Sequence, residues 1–224
     1  MTNRLTLPDA PQSSQNGMMF APSAARNCNA ICDLVAHHAP ATGRALEIAS
    51  GTGQHITALA TRLPNLIWQP SDVDATRRAS QSAYGADAGL NNLNTPADLD
   101  ALTAGWSTDW QGQDLILTVN LLHLISEPQA RTLITEAAKS LAPDGVFILY
   151  GPFLRDGETT SDGDAAFHAS LQSQDAMIGY KNDWDVIDWL QSQFLELVQV
   201  LEMPANNIDP GCHLRAPRQP GHHR

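Results

Sequence analysis

Basic side chains are scarce in this 224-residue chain: 13 Lys and Arg stand against 24 Asp and Glu, a formal net charge of −11. Such a surface repels phosphates and has few cations with which to release counterions, which argues against nucleic-acid binding. The same charge disfavours anionic lipid. Cysteine is rare too, with Cys28, Cys32 and Cys212 only. Three thiols make no disulfide framework and fit a reducing compartment. Cys28 and Cys32 share a helix face at i,i+4 spacing, but no second pair lies nearby to complete a zinc site. They read as small buried side chains, and no metal site is expected. No apolar run approaches the roughly 20 residues of a membrane span. The polar first 20 residues, with Pro8, Pro11 and Gly17, lack the apolar centre of a signal peptide, so a cytoplasmic protein is expected.

What is present suits one α/β domain of ordinary size: 42% hydrophobic and 17% charged residues, enough for a real core. The most informative stretch runs from Ala45 to His55. Ala45 to Ala49 reads as a buried strand, Ser50 to Gly53 as a glycine turn, and Gln54 to Arg62 as a helix. The glycines let backbone approach a ligand closely, and the following helix start presents N–H groups to a polar or anionic group. Two nucleotide-binding patterns are excluded by single residues. Ile56 stands where Gly-x-Gly-x-x-Gly needs a glycine, and no Gly-Lys-Ser/Thr ends the turn. Glu47 lies instead inside the strand, four residues before Gly51.

The rest of the chain alternates strands and helices. A helix spans about Ser23 to His38, and a second strand spans Leu66 to Pro70. Asp72 follows that strand, 19 residues after Gly53. An acid at that spacing either holds a ribose by its hydroxyls or caps the next helix, about Ala75 to Ala88; Asp74 is the better cap. A third short strand is expected near Leu93 to Leu99, with Asp98 and Asp100 at its end, one of them placed to accept from an adenine amine. The fourth strand, Asp114 to Asn120, leads to His123 and then to a helix from Ser126 or Glu127. The fifth is Val146 to Gly151 and the sixth Phe194 to Met203. This alternation predicts a doubly wound, mainly parallel sheet. Residues 1–19 are expected to be a flexible segment, 20–208 one domain, and 209–224 an irregular tail. Pro152 to Gly179 reads as an excursion over the pocket mouth, with a short helix near Ala165 to Gln174.

Several strings in order resemble the DUF938 (UPF0585) family of class I S-adenosylmethionine-dependent methyltransferase-like proteins. They include Phe20 to Asn27, Leu46 to His55, Trp68 to Asp72, Asn120 to His123, Tyr150 to Phe153 and Glu202 to Asn207. The resemblance spans about residues 20 to 208. It implies a Rossmann-like fold, S-adenosylmethionine as cofactor, and a pocket holding Glu47, the turn Ala49, Ser50, Gly51 and Gly53, Asp72, Asp100 (in preference to Asp98) and Asn120. Arg26 and Asn27 would close the pocket from the first helix, Arg26 meeting the cofactor carboxylate or forming a structural salt bridge. After Asn207 the chain departs from the family. Pro210, Pro217 and Pro220 replace an apolar final strand, which is expected to be shortened or missing.

Methyl transfer needs positioning, water exclusion and, for some nucleophiles, a base. His123 is the candidate base, with a pKa suited to neutral pH; the alternative is a structural loop histidine. His55 and Tyr150 are candidates for the substrate side. No Asn-Pro-Pro-Tyr-type string follows the fourth strand, so a small molecule is the expected acceptor. A non-catalytic member of the same fold is the alternative.

Overall fold

The computed structural model describes residues 5–8, 10–13, 16–203 and 209–215. The strands of its main sheet are β1 (Gly43–Ile48), β2 (Leu66–Pro70), β3 (Gln113–Val119), β4 (Leu141–Tyr150), β5 (Glu196–Met203) and β6 (Asp209–Arg215). They lie in the order β2-β1-β3-β4-β6-β5. The first four are parallel to their neighbours, and β6 runs antiparallel to both β4 and β5. The helices are α1 (Pro22–His38), α2 (Gln54–Arg62), α3 (Ala75–Asp87), α4 (Glu127–Ser140), α5 (Asp162–Gln174) and α6 (Asp183–Ser192). The expected doubly wound α/β fold is therefore the one found.

The near-continuous apolar strands are explained by burial on both faces. Ala45, Leu115, Leu117 and Ile148 face one layer, where they meet Ile31 and Val35 of α1 and Ile56 and Leu59 of α2. Leu46, Ile48, Ile116, Phe147 and Leu149 face the other, against Leu133, Ile134 and Ala137 of α4 and Val186 and Leu190 of α6. Alternate residues thus serve opposite layers, as a pleated strand requires. Helix starts follow local chemistry. Asp74 Oδ1 accepts from the N–H groups of Thr76 and Arg77 at 2.7 and 3.3 Å. The Ser126 N–H donates to Gln129 Oε1 at 2.9 Å to begin α4. The first helix begins at Pro22 rather than Ser23, because proline suits the first helical position.

Three expectations need correction. The segment 93–99 forms no strand, only single parallel bridges from Leu93 to Trp68 and from Ala97 to Ser71. Pro96 lacks the N–H that a continuous ladder needs, yet the segment still satisfies the outer edge of β2: Ala97 N–H donates to Pro70 O at 2.9 Å. The tail expected to be irregular from residue 209 contributes β6, seven residues long and inserted between β4 and β5. Pro210 is tolerated because it pairs with β5 alone; pairing with β4 begins at Cys212. The described part of residues 1–19, expected to be flexible, packs on the domain. Leu5 and Leu7 join a cluster with Leu171, Ile178 and Tyr180. Thr6 exchanges hydrogen bonds with the Gln174 amide at 2.7 and 3.2 Å.

Because β6 supplies the ladder partner of β5 and covers the edge of β4, a chain ended at Met203 should lose both. We expect such a truncation to lower the melting temperature by about 5 °C or more, or to aggregate through the bared edges. A soluble truncation melting with the full chain would show that β6 contributes nothing to stability.

Candidate active site

The sheet order reverses direction between β1 and β3, and the crevice outside the carboxyl ends of those strands is where open α/β sheets place ligands. Both strand ends carry a non-glycine residue in the left-handed region, Ala49 at φ 55° and Asn120 at φ 56°. Such conformations concentrate at functional sites, because the surrounding structure must hold them in place.

A knot of polar contacts fixes the turn after β1. The carbonyl of Glu47 accepts from Ser50 Oγ at 3.1 Å and from Ser71 Oγ at 2.8 Å. Ser50 N–H donates to Ser71 O at 2.7 Å, and Ser71 N–H donates back to Ser50 Oγ at 3.1 Å. Asp72 adds its carboxylate: Oδ2 accepts the Gly51 N–H at 3.1 Å and Oδ1 accepts the Asp74 N–H at 3.0 Å. The turn, Glu47, His55 and Asn120 line a cavity of about 160 Å³.

Glu47 is the electrostatic centre of this cavity. It is 1% exposed, and its Oε2 has no hydrogen-bond partner. Burial pushes its carboxyl up to about 8, so it is protonated at neutral pH in the ligand-free chain. An unpartnered carboxyl at the floor of a crevice fits a cationic amine. The two glycines play different parts. A Cβ on Gly51 would meet nothing nearer than Ala49 O at 3.9 Å, so the space beside it is open to a ligand. A Cβ on Gly53 would lie 2.8 Å from Gln81 Cα, so Gly53 serves the close approach of α3. An S-adenosylmethionine amino acid end, with its ammonium and carboxylate, fits these residues.

The remaining sequence candidates divide. Ala49, Ser50, Gly51, Glu47 and Asn120 meet at the first cavity. Asp72 is 2% exposed and does not line it; its oxygens are occupied by the amides named above, with Arg77 Nη1 3.7 Å away. Asp100 is exposed and accepts from Leu102 N–H at 3.0 Å, outside both cavities. Asn27 is buried away from the cavity, its Oδ1 accepting from His55 Nε2 at 2.8 Å. Burial lowers His55 to about 4, so its ring lines the cavity as neutral imidazole. Tyr150, expected on the substrate side, is buried in the core beside α1 instead.

A second cavity, of about 300 Å³, shares Leu7, Ser23, Asn120 and Leu124 with the first. Arg26, His123, Pro152 and Phe167 complete it, so Arg26 faces this cavity and not the first. His123 is 5% exposed, its Nδ1 has no partner, and its ring centroid lies 5.7 Å from that of Phe167. The expectation that it titrates near neutrality fails: burial, then the charge of Lys181, pushes it down to about 3. Lys181, one of only two lysines in the chain, was missed by sequence reasoning. Its Nζ donates to Ile125 O at 2.6 Å and Gly179 O at 2.8 Å, and burial lowers it to about 8. Asp164 was missed as well. It is 2% exposed and accepts from the Tyr180 hydroxyl at 3.0 Å, which pins α5 beside His123. The rarity of lysine and the Gly-Tyr-Lys string are the only local signals for this network. Among the described residues no three His, Cys, Asp or Glu gather as a metal-ligand cluster.

The family model that matches this chain is "Protein of unknown function (DUF938)", over residues 18–209. The chain belongs to the DUF938 family. Among solved structures, it is similar to the S-adenosylmethionine-dependent methyltransferase SibL in its apo form, with 21% identity and a TM-score of 0.64 over 79% of this chain and 51% of that one. Human N-acetylserotonin methyltransferase in complex with SAM matches with 10% identity and a TM-score of 0.68, over 87% and 52%. The [4+2]-cyclase SpnF matches with 14% identity and a TM-score of 0.66, over 85% and 81%. The DUF938 chain thus spans about half the length of the two methyltransferases. Identities this low carry the fold and leave activity to be argued from the site.

Two predictions follow from the geometry. Gly53→Ala should destabilise the chain by about 1–3 kcal/mol through its clash with α3. Gly51→Ala should cost about 1 kcal/mol of stability, from its left-handed backbone alone, while closing the ligand space. Thermal melts that rank the two the other way would overturn this division. The second concerns Glu47. With a folded pKa near 8 against 4.5 unfolded, its contribution to stability is fully present below pH 4.5 and lost as pH rises through 8. Glu47→Gln should remove that decline and stabilise the ligand-free chain at pH 7 by at most about 3 kcal/mol. Parallel pH–stability curves for the two proteins would contradict the buried, protonated state.

Proposed function

We propose that this DUF938 chain binds S-adenosylmethionine in the first cavity and transfers its methyl group to a small-molecule acceptor in the second, in the cytoplasm. The observation that carries the reading is the unpartnered Glu47 carboxyl beside the open face of Gly51. The neighbours' methyltransferase fold and the human relative's printed complex with SAM support it. When bound, the cofactor supplies an electrophilic methyl group on a sulfonium sulfur.

The chain's own residues take the following parts. Glu47 faces the cofactor ammonium and gives up its proton as that charge arrives. The opening N–H groups of α2 attract the carboxylate. Asp72 serves the ribose by accepting from its hydroxyls, and it orients the turn through Gly51. Asp100 lies farther along the crevice for the adenine edge. Asn120, common to both cavities, marks the place where donor and acceptor meet. His123 is held neutral and serves as a hydrogen-bonding group on the acceptor side, in place of the neutral-pH base first expected.

The second reading is that the fold binds the cofactor without transferring methyl. Likeness to a protein described as a cyclase favours keeping it, as does the low proton affinity of His123.

Calorimetry with S-adenosylmethionine and S-adenosylhomocysteine should show binding of both, with proton release near pH 7 that Glu47→Gln abolishes. Asp72→Ala should weaken binding by about 1–3 kcal/mol, the worth of hydrogen bonds to a charged group. No binding of either ligand at millimolar concentration would sink both readings. Binding without turnover across thiols, amines, acids and phenols would favour the second.

A further inference from the structure

The second cavity has a charge character opposite to that of the chain as a whole. Among the described residues lining it there is no Asp or Glu, while Arg26 stands at its rim. Behind His123 lies Lys181, whose Nζ is held by the carbonyls of Ile125 and Gly179; Gly179 N–H in turn donates to His123 O at 3.0 Å. An ammonium group buried in an acidic protein, fixed by two carbonyls and beside a neutral imidazole, leaves this wall electropositive. The other walls are apolar: Leu7, Leu124, Pro152 and the ring of Phe167. At about 300 Å³ the space is at the small end for ligand pockets.

We propose that the acceptor held in this cavity is a small aromatic carboxylate, methylated on a carboxylate oxygen, an inference that rests on the methyl-transfer reading above. The ring packs between Phe167 and the proline and leucine side chains. The carboxylate is drawn by Arg26 and by the one N–H that neutral His123 retains. A carboxylate lone pair forms the new O–CH3 bond as the S–CH3 bond of the sulfonium donor breaks, and that electron pair stays on sulfur. An anion and a cation give a neutral ester and a neutral thioether, and no proton leaves. The chemistry therefore needs no base, in keeping with a histidine that burial has pushed down to about 3.

The test uses the full chain and three matched probes: benzoate, benzyl alcohol and benzylamine. Each is titrated into protein saturated with S-adenosylhomocysteine, and each is incubated with methyl-labelled S-adenosylmethionine. We expect benzoate to bind at least about tenfold more tightly than the other two, the effect of a charge-assisted pair over a neutral contact. We also expect benzoate to yield label that base hydrolysis releases as methanol. Arg26→Gln should abolish the benzoate preference and leave S-adenosylhomocysteine affinity unchanged, while Arg26→Lys keeps part of the preference. Equal or tighter binding of the alcohol or amine would overturn the proposal, as would a preference unaffected by Arg26→Gln. Benzoate bound with the cofactor but never methylated also overturns it. If S-adenosylhomocysteine itself fails to bind, the methyl-transfer reading falls. The titrations repeated on the bare chain then decide whether the cavity selects carboxylates.

Discussion

The carbonyl of Glu47 accepts two serine hydroxyls, one from the turn after β1 and one from the residue after β2. Much of the site depends on this junction. Ser50 and Ser71 also exchange backbone bonds, so the two strand ends cannot move independently. Asp72, the next residue, reaches back to the Gly51 amide. The same junction extends to the chain start. Ser80 donates to Thr52 O and accepts the Met19 N–H, while Gln54 accepts the Ala21 N–H. The turn is thereby held by β2, α3 and the N-terminal segment together. A crevice so fixed can keep an unpartnered carboxyl at its floor without collapsing onto it.

Burial of charge organises the second cavity in the same way. Glu47 gains its character by losing water, and so do His123 and Lys181. Each is pushed toward its neutral form, but to different degrees: Glu47 and Lys181 to about 8, His123 to about 3. The carboxyl belongs to the donor cavity and the two nitrogen groups stand by the acceptor cavity. Asn120 is the lining residue between them, and its strained backbone is held by the hydrogen bond from its N–H to Tyr150 O at 2.8 Å.

Most of the fold was legible along the chain, because apolar strands of a two-layered α/β protein are continuous and their turns carry glycine. The β1–α2 unit and β2 lie where the residues put them, and Asp74 caps α3 as expected. Where reading failed, a single residue's backbone was decisive. Pro96 prevents a ladder that its neighbours' composition suggests. Pro210 was read as a strand breaker, yet it stands where only one neighbouring strand needs bonding.

The chain by itself determined the donor side: the acid before the glycine turn, the turn, and the serines and aspartate after β2 are close in sequence to the strand ends that display them. Tertiary structure alone decided the acceptor side. Arg26, His123, Phe167 and Lys181 come from four separated segments, and nothing local says that they meet. Nor does a histidine's position in sequence reveal its proton affinity. That depends on desolvation and on a lysine far along the chain, which exist only once α5 and the segment after it have folded over the crevice. The same holds for Asn27 and Tyr150, whose residue types suit a pocket but whose backbone positions turn them into a histidine's partner and a part of the core.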